Sequence, residues 1–421
     1  MTETRKMPAY MRHIFWLCFL VYSVTYIGRY NYSAAIPAMT LDGFDKGLLG
    51  LYGTGFFICY GVGQLVSGVL GDHIPPRHMI TVGLIGSGAV NLLMGLVPPG
   101  MHWLWCINGL LQSMLWSPIA RLLAEWLPLA QCKRAMVNIS FTMAVGALAA
   151  YGLAALMLLL LSWRWVFLAA ALCLIACGAV WAACMSRIET RNAHKRIVYQ
   201  AGPDQEEAGP AGMPLARVVL LSGLLVVGVA LMSDGILKDG VSMWIPTYLT
   251  EQFGLGAAAS SLAATLLPVL NLLGIYLTDR LNRVVKDEIK TSSILFAVAS
   301  LALVALAFAQ GSMLLSLLLL GLTMMCALGV NMMLLGMLPM YFVRLKKTST
   351  ISGLLNTCVH AASSISSYGI AAISTYFGWG VTILTWVGVT ALGLVCTLAV
   401  RRRFYAFASR IQGTAEETAS S

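Results

Sequence analysis

Charge is scarce in this chain. Of 421 residues only 10% are Asp, Glu, Lys or Arg, 59% are apolar, and the mean hydropathy is +0.80. A soluble domain has roughly 25% charged residues, so this chain has too few to clothe a water-facing surface of its length. That excludes a soluble multidomain protein, and the apolar content excludes disorder. No CxxC pair and no Cys/His ligand spacing occurs, and most of the ten cysteines (among them Cys18, Cys59, Cys106, Cys173, Cys177, Cys326 and Cys396) lie inside apolar runs. Neither a disulfide framework nor a metal site is expected. HExxH, GxSxG and a Walker loop are absent, as are paired carboxylates on facing segments. An enzyme, an ATP-driven pump and a bound cofactor are therefore not expected. The net charge of +10 does not point to nucleic acid, because the bases sit in short clusters between apolar runs.

What the chain has in abundance is apolar runs of membrane-spanning length, about 20 residues each. Twelve are read, at about 13–38, 47–71, 78–98, 102–124, 134–161, 164–186, 217–249, 256–278, 288–309, 312–341, 350–376 and 380–400. The first follows Arg5, Lys6 and Arg12 and is too long for a signal-peptide core, so it is read as a retained span. With the N-terminus in the cytoplasm, 23 of the 27 bases fall in cytoplasmic segments and two, Lys46 and Arg164, outside. The rule that basic loops stay inside then places both termini in the cytoplasm. The stretch GPDQEEAGPAGMP belongs to a flexible linker between two halves. The expected organisation is a cytoplasmic tail over 1–12, a six-helix half over 13–186, a linker over 187–216, a second six-helix half over 217–401, and a tail over 402–421 that is disordered after Arg410. The fold class is an all-α membrane protein.

The two bases left over, Arg29 and Lys238, lie inside spans and are 209 residues apart, as are Ile36-Pro37 and Ile245-Pro246. Asp72 and Asp279, after spans 2 and 8, keep nearly the same offset, with Arg77 beyond the first and Arg280 and Arg283 beyond the second. A duplicated six-span unit in one orientation is the expected cause, as in the two halves of major facilitator transporters.

The loops after spans 2 and 8 resemble the Gly-x-x-x-Asp-Arg signature of the major facilitator superfamily, with the base after Asp72 delayed to Arg77 by His73-Ile74-Pro75-Pro76. Tyr26 to Pro37, the segment Lys238 with Trp244 to Leu249, Trp116-Ser117-Pro118 and Ser162-Trp163-Arg164 resemble the organophosphate:phosphate antiporters, which carry glycerol phosphate and hexose phosphates. The resemblance implies a major facilitator fold. It also implies that Arg29 and Lys238 grip a phosphate, with Tyr22 and Tyr26 beside it. The chain departs from the family pattern where Tyr30 replaces a Lys and Met243 replaces an Asp, and where Met143 or a neighbour replaces a His of span 5.

The residues themselves say this much. A charge at the bilayer centre costs at least ~2.5–3.5 kcal/mol, so such residues face a cavity or a partner. Span 1 contains no acid, and the planar fork of Arg29 suits a phosphate or carboxylate. The alternative is an Arg that bonds backbone carbonyls or an acid of another span. Asp234 lies one turn before Lys238 and is positioned to pair with it. Asp234 and Asp239 are both candidates for proton coupling. The other candidate substrate contacts are Tyr30, Asn271 and His360, each set against a packing role. Asp72, Arg77, Asp279, Arg280 and Arg283 are candidates for a cytoplasmic gate, set against a topology signal alone. The expected function is secondary transport of an organic anion, most readily a sugar phosphate or glycerol phosphate exchanged for inorganic phosphate, by a rocker-switch motion. A proton-coupled carrier of a sugar acid or other organic anion, and a membrane sensor of sugar phosphates, are the alternatives. The partners expected are the small anion, phosphate or a proton, and the bilayer of a bacterial inner membrane. No nucleic acid is expected, and the protein is read as a monomer.

Overall fold

In the computed structural model the described residues are 8–97, 100–139, 141–192, 214–345 and 348–419. The first residues of the N-terminal tail, most of the linker (193–213) and the side chain of Asp72 lie outside that set. The described residues are helical almost throughout. The helices are α1 (Ala9–Leu41), α2 (Lys46–His73), α3 (Pro76–Leu96), α4 (Met101–Ser113), α5 (Trp116–Trp126), α6 (Leu129–Ile139), α7 (Thr142–Leu160) and α8 (Trp163–Asn192). There follow α9 (Leu215–Ser222), α10 (Leu224–Gly235), α11 (Ser242–Phe253), α12 (Ala257–Ala264), α13 (Leu266–Val285), α14 (Glu288–Phe308), α15 (Met313–Asn331) and α16 (Thr348–Ala419). A π-helical turn, Ile236–Val241, joins α10 to α11, and a second, Met332–Met337, follows α15 and leads into a 3₁₀ segment, Leu338–Leu345.

Nine helical segments among the described residues are long and apolar enough to cross a membrane, or ten if the bent pair Leu215–Ser222 and Leu224–Phe253 counts as one span. Four expected spans are interrupted, and the causes are local. Pro118 has no N–H, so the helix of span 4 stops at Ser113 and restarts at Trp116 with the proline in its first turn. In span 5 the Thr142 hydroxyl takes the Ile139 carbonyl at 2.5 Å, beside the break. Span 7 turns by 75° at Gly223, whose φ is 77°. Pro268 removes the donor that would continue α12, and the helix breaks at Thr265. In the other direction, α16 is two helices merged across Gly378, which has φ 79° and ψ 173°. Its second part runs to Ala419, so the tail expected to be disordered after Arg410 is helical among the described residues. The run Thr-Ala-Glu-Glu-Thr-Ala there contains good helix formers and nothing that ends a helix.

The helices form two compact units. One comprises 1–205 with 255–268, the other 206–254 with 269–421. In the first, Trp105, Trp126, Trp163 and Trp181 are fully buried, and a cluster around Trp126, Trp181, Ile14 and Leu174 fills the interior. In the second, Trp244, Trp386, Tyr248, Phe296 and Phe342 take that part. Large apolar side chains cover much of the outside, with Leu172, Leu301 and Phe308 71%, 71% and 88% exposed, as a protein solvated by lipid requires.

Candidate functional site

In the first unit the site is built on α1. Tyr22, Tyr26 and Tyr30 recur every four residues and so share one face. Their ring centroids are 5.4 and 5.9 Å apart in sequence order; Trp116 caps one end of the row at 5.2 Å and Tyr151 the other at 5.6 Å. Tyr32 leaves this face. It stacks on Trp105 at 4.7 Å, and its hydroxyl donates to the Leu49 carbonyl at 2.6 Å. Arg29 is half-buried and lies over three rings of α2, with its guanidinium carbon 5.6 Å from Phe56, 5.6 Å from Phe57 and 5.1 Å from Tyr60. These contacts set the guanidinium among three aromatic rings, which attract a cation.

Behind Arg29 runs a buried amide network. The Asn31 side chain donates to Asn91 Oδ1 at 2.7 Å, Asn91 to the Ser87 carbonyl at 2.8 Å, and Ser87 Oγ to Asn108 Oδ1 at 2.5 Å. Asn108 and Gln112 then donate to the carbonyls of Gly28 (3.0 Å) and Thr25 (3.2 Å). Carbonyls on both sides of residues 26 and 27 are thereby tied to α4, which fixes the height and rotation of the turn carrying Arg29. Sequence reasoning missed Phe56, Phe57, Tyr60, Asn91, Asn108 and Gln112. The amides carried a signal, because each is a polar residue within an apolar run; the rings carried none.

In the second unit Lys238 lies in the π turn. Its Nζ is 2.8 Å from Asp239 Oδ1, and Asp239 Oδ2 accepts from Ser363 Oγ at 2.9 Å. Asp239, the other acid flanking Lys238, is thus an ion-pair partner of it. The wider π turn offsets the four-residue stacking that an α-helix would give. Asp234 is fully buried; its Oδ2 accepts from Asn331 Nδ2 at 2.9 Å. Asn271 is half-buried on α13, and its Oδ1 has no hydrogen-bond partner among the described residues. His360 is buried in the part of α16 before Gly378.

Of the gate candidates, Arg77 at the start of α3 pairs with Glu189 at the end of α8, at 2.8 Å. Asp279 pairs with Arg283 one turn along α13 at 2.7 Å; Arg283 is 77% exposed, so this bridge contributes little. Arg280 is exposed. The second unit is held instead by Asp287 with Arg401 at 2.6 Å, and by Glu288, which accepts from Tyr341 and Tyr405 at 2.9 Å each. The two units thus use a similar tie with the charges exchanged: Arg77 at the start of α3 meets Glu189 near the end of α8, and Asp287 just before α14 meets Arg401 within the second part of α16. At the other ends of α8 and of the second part of α16, Trp163 Nε1 donates to Asp42 at 2.6 Å and Trp379 Nε1 to Glu251 at 2.8 Å. The charge tie is testable by exchange. Arg77→Glu and Glu189→Arg each lower the melting temperature in detergent, at a cost of about 1 kcal/mol for a partly exposed pair. The double variant recovers most of that loss; a double variant as unstable as the sum of the singles denies the tie any energetic weight.

Residues 18–367 match the family model of the Major Facilitator Superfamily. A probable hexose phosphate transport protein of Chlamydia trachomatis is 40% identical over 126 residues, 29% of this chain and 28% of that protein. The membrane sensor protein UhpC of Escherichia coli is 36% identical over 120 residues, 27% of each chain. A glycerol-3-phosphate transporter of Bacillus subtilis is 28% identical over 283 residues, 60% of this chain and 61% of that one. The matches therefore span less than two thirds of these relatives. A bacterial homologue of the human lysosomal transporter Spinster superposes with a TM-score of 0.71 over 97% of this chain and 98% of its own, at 11% identity, a likeness of fold alone.

Proposed function

The chain belongs to the Major Facilitator Superfamily, and from that premise we propose that it is a secondary transporter of a small organic anion, most readily a phosphorylated sugar or glycerol phosphate exchanged for inorganic phosphate. It is a multi-pass membrane transporter and not an enzyme, homologous to sugar phosphate and glycerol-3-phosphate transporters. We assign it twelve spans in two six-helix repeats, both termini in the cytoplasm of a bacterium, and a rocker-switch form of alternating access.

The observation that carries the reading is Arg29 on its shelf of aromatic rings, beside a row of tyrosines and on a helix turn locked by side-chain amides. A guanidinium set among aromatic rings on a helix turn fixed in height suits a phosphate, and neighbouring phenol groups add donors. Lys238, in the second unit, is a further candidate contact for an anion. Asp239 balances its charge until the substrate arrives.

The test of binding is the melting temperature of the purified protein with inorganic phosphate, glucose 6-phosphate, glycerol 3-phosphate and gluconate. A ligand present at a hundred times its Kd stabilises by about 2.7 kcal/mol, so the phosphate compounds raise the melting temperature and gluconate does not. Stabilisation by gluconate alone favours the sugar-acid carrier. Stabilisation by a hexose phosphate without any exchange favours the sensor reading, which the similarity to a membrane sensor motivates.

A further inference from the structure

We infer that α9 and the end of α16 form a binding site for the headgroup of an anionic phospholipid in the adjoining leaflet of the bilayer. The site depends on the chain's spanning a membrane and on nothing about its substrate.

Three successive arginines stand in the second part of α16, and each points about 100° from the last. Arg401 pairs with Asp287 at 2.6 Å. Arg403 reaches α9: its Nε donates to the Leu221 carbonyl at 3.2 Å and its Nη2 to the Leu220 carbonyl at 2.6 Å. Carbonyls of a helix's last turn lack regular partners and suit a cation. Gly223 permits this approach, since a β-carbon there would come within 2.6 Å of Val400 Cγ2. Arg402 has no such duty. It lies about 200° round the helix from the fully buried Phe404, it is exposed, and it has no ion pair or hydrogen bond among the described residues.

Val395 and Leu398 precede Arg402 by seven and four residues, share its face and are exposed. The outer stripe of α16 thus turns from apolar to basic at Arg402, as a helix does where hydrocarbon gives way to headgroups. α9 meets the same boundary sideways, because the chain bends by 75° between it and the rest of span 7. It buries Val218, Val219 and Ser222 on one face and leaves Arg217, Leu220 and Leu221 exposed on the opposite one. Arg217 lies one turn before the two carbonyls that Arg403 holds. Leucines beside arginines offer acyl chains an apolar surface and a phosphodiester a set of guanidinium donors. Basic pockets between spans take anionic headgroups in this way. A zwitterionic headgroup would bring its ammonium among three guanidinium groups, so charge selects an anionic lipid over phosphatidylcholine.

Native mass spectrometry of the purified protein, titrated with phosphatidylglycerol or phosphatidylcholine, tests this. Each base beside an anionic headgroup raises affinity about fivefold. The wild type is therefore expected to bind one phosphatidylglycerol at least about thirtyfold more tightly than phosphatidylcholine. Equal affinities overturn the site, and that comparison needs no variant. Arg217→Gln with Arg402→Gln is expected to lose about thirtyfold in affinity for phosphatidylglycerol alone, while its melting temperature shows it folded; a folded variant with undiminished affinity overturns the assignment. Arg187→Gln with Arg191→Gln removes the same charge from the exposed end of α8. It is expected to bind as the wild type does, and an equal loss there reduces the effect to net charge and overturns the site. Millimolar inorganic phosphate separates a lipid headgroup from a free anion. Retention of phosphatidylglycerol is expected, and its displacement assigns these bases to free phosphate instead.

Discussion

Replacing Arg29 by Ala is expected to reduce phosphate exchange by at least about a hundredfold. The estimate follows from what the guanidinium offers. A hydrogen bond to a charged group contributes about 1.5–3 kcal/mol, and a bidentate grip makes two. The loss is then about 3–6 kcal/mol, or two to four powers of ten at about 1.4 kcal/mol each. The helix survives the change. The cation–π contribution lost on an aromatic shelf is about 0.5–2 kcal/mol, and Phe56 keeps its stacking on Trp105 at 5.2 Å. Arg29→Lys keeps the charge without the planar fork and is expected to fall between the two. The assay is entry of labelled phosphate into proteoliposomes, with the melting temperature as a control for folding. Wild-type exchange in a folded Arg29→Ala protein removes Arg29 from the site.

Gly146→Ala is expected to produce the largest loss of stability from the smallest change. A β-carbon at Gly146 meets the backbone carbonyl oxygen of Ser23 and comes within 2.7 Å of the Tyr26 β-carbon and 3.0 Å of the Ser23 carbonyl carbon. None of these is the far end of a flexible side chain. α1 and α7 must move apart, and overpacking of this kind costs about 1–3 kcal/mol, occasionally more. The movement occurs one turn from Arg29, so both the melting temperature and the apparent affinity for phosphate fall. A variant as stable and as active as the wild type contradicts so close an approach of the two helices.

The membrane character and the two bases within apolar runs were legible in the sequence because both depend on composition along a single segment. An apolar run reports its own solvent, and Arg29 and Lys238 stand out where charge is scarce. The helix breaks were less legible. Pro118 and Pro268 signalled theirs, but the bend at Gly223 and the two π turns carry no periodic signature. The first π turn bears on Lys238, whose ion pair is with the adjacent Asp239, because the i to i+4 rule holds only for an unbroken α-helix. The aromatic shelf and the amide network were hidden for another reason. Phe56 is 27 residues from Arg29 and Gln112 is 87 from Thr25, and only packing brings such residues together. The charge ties show the same limit. Arg77 meets Glu189, 112 residues away in the sequence.

The central claim is that this chain moves phosphorylated anions by exchange, and counterflow measures that most directly. Proteoliposomes loaded with unlabelled inorganic phosphate are diluted into a trace of labelled glucose 6-phosphate or glycerol 3-phosphate. The account predicts that label from at least one ester accumulates transiently above its equilibrium level, and that empty vesicles show no such overshoot. No overshoot with either ester, from protein whose melting temperature shows it to be folded, contradicts the account.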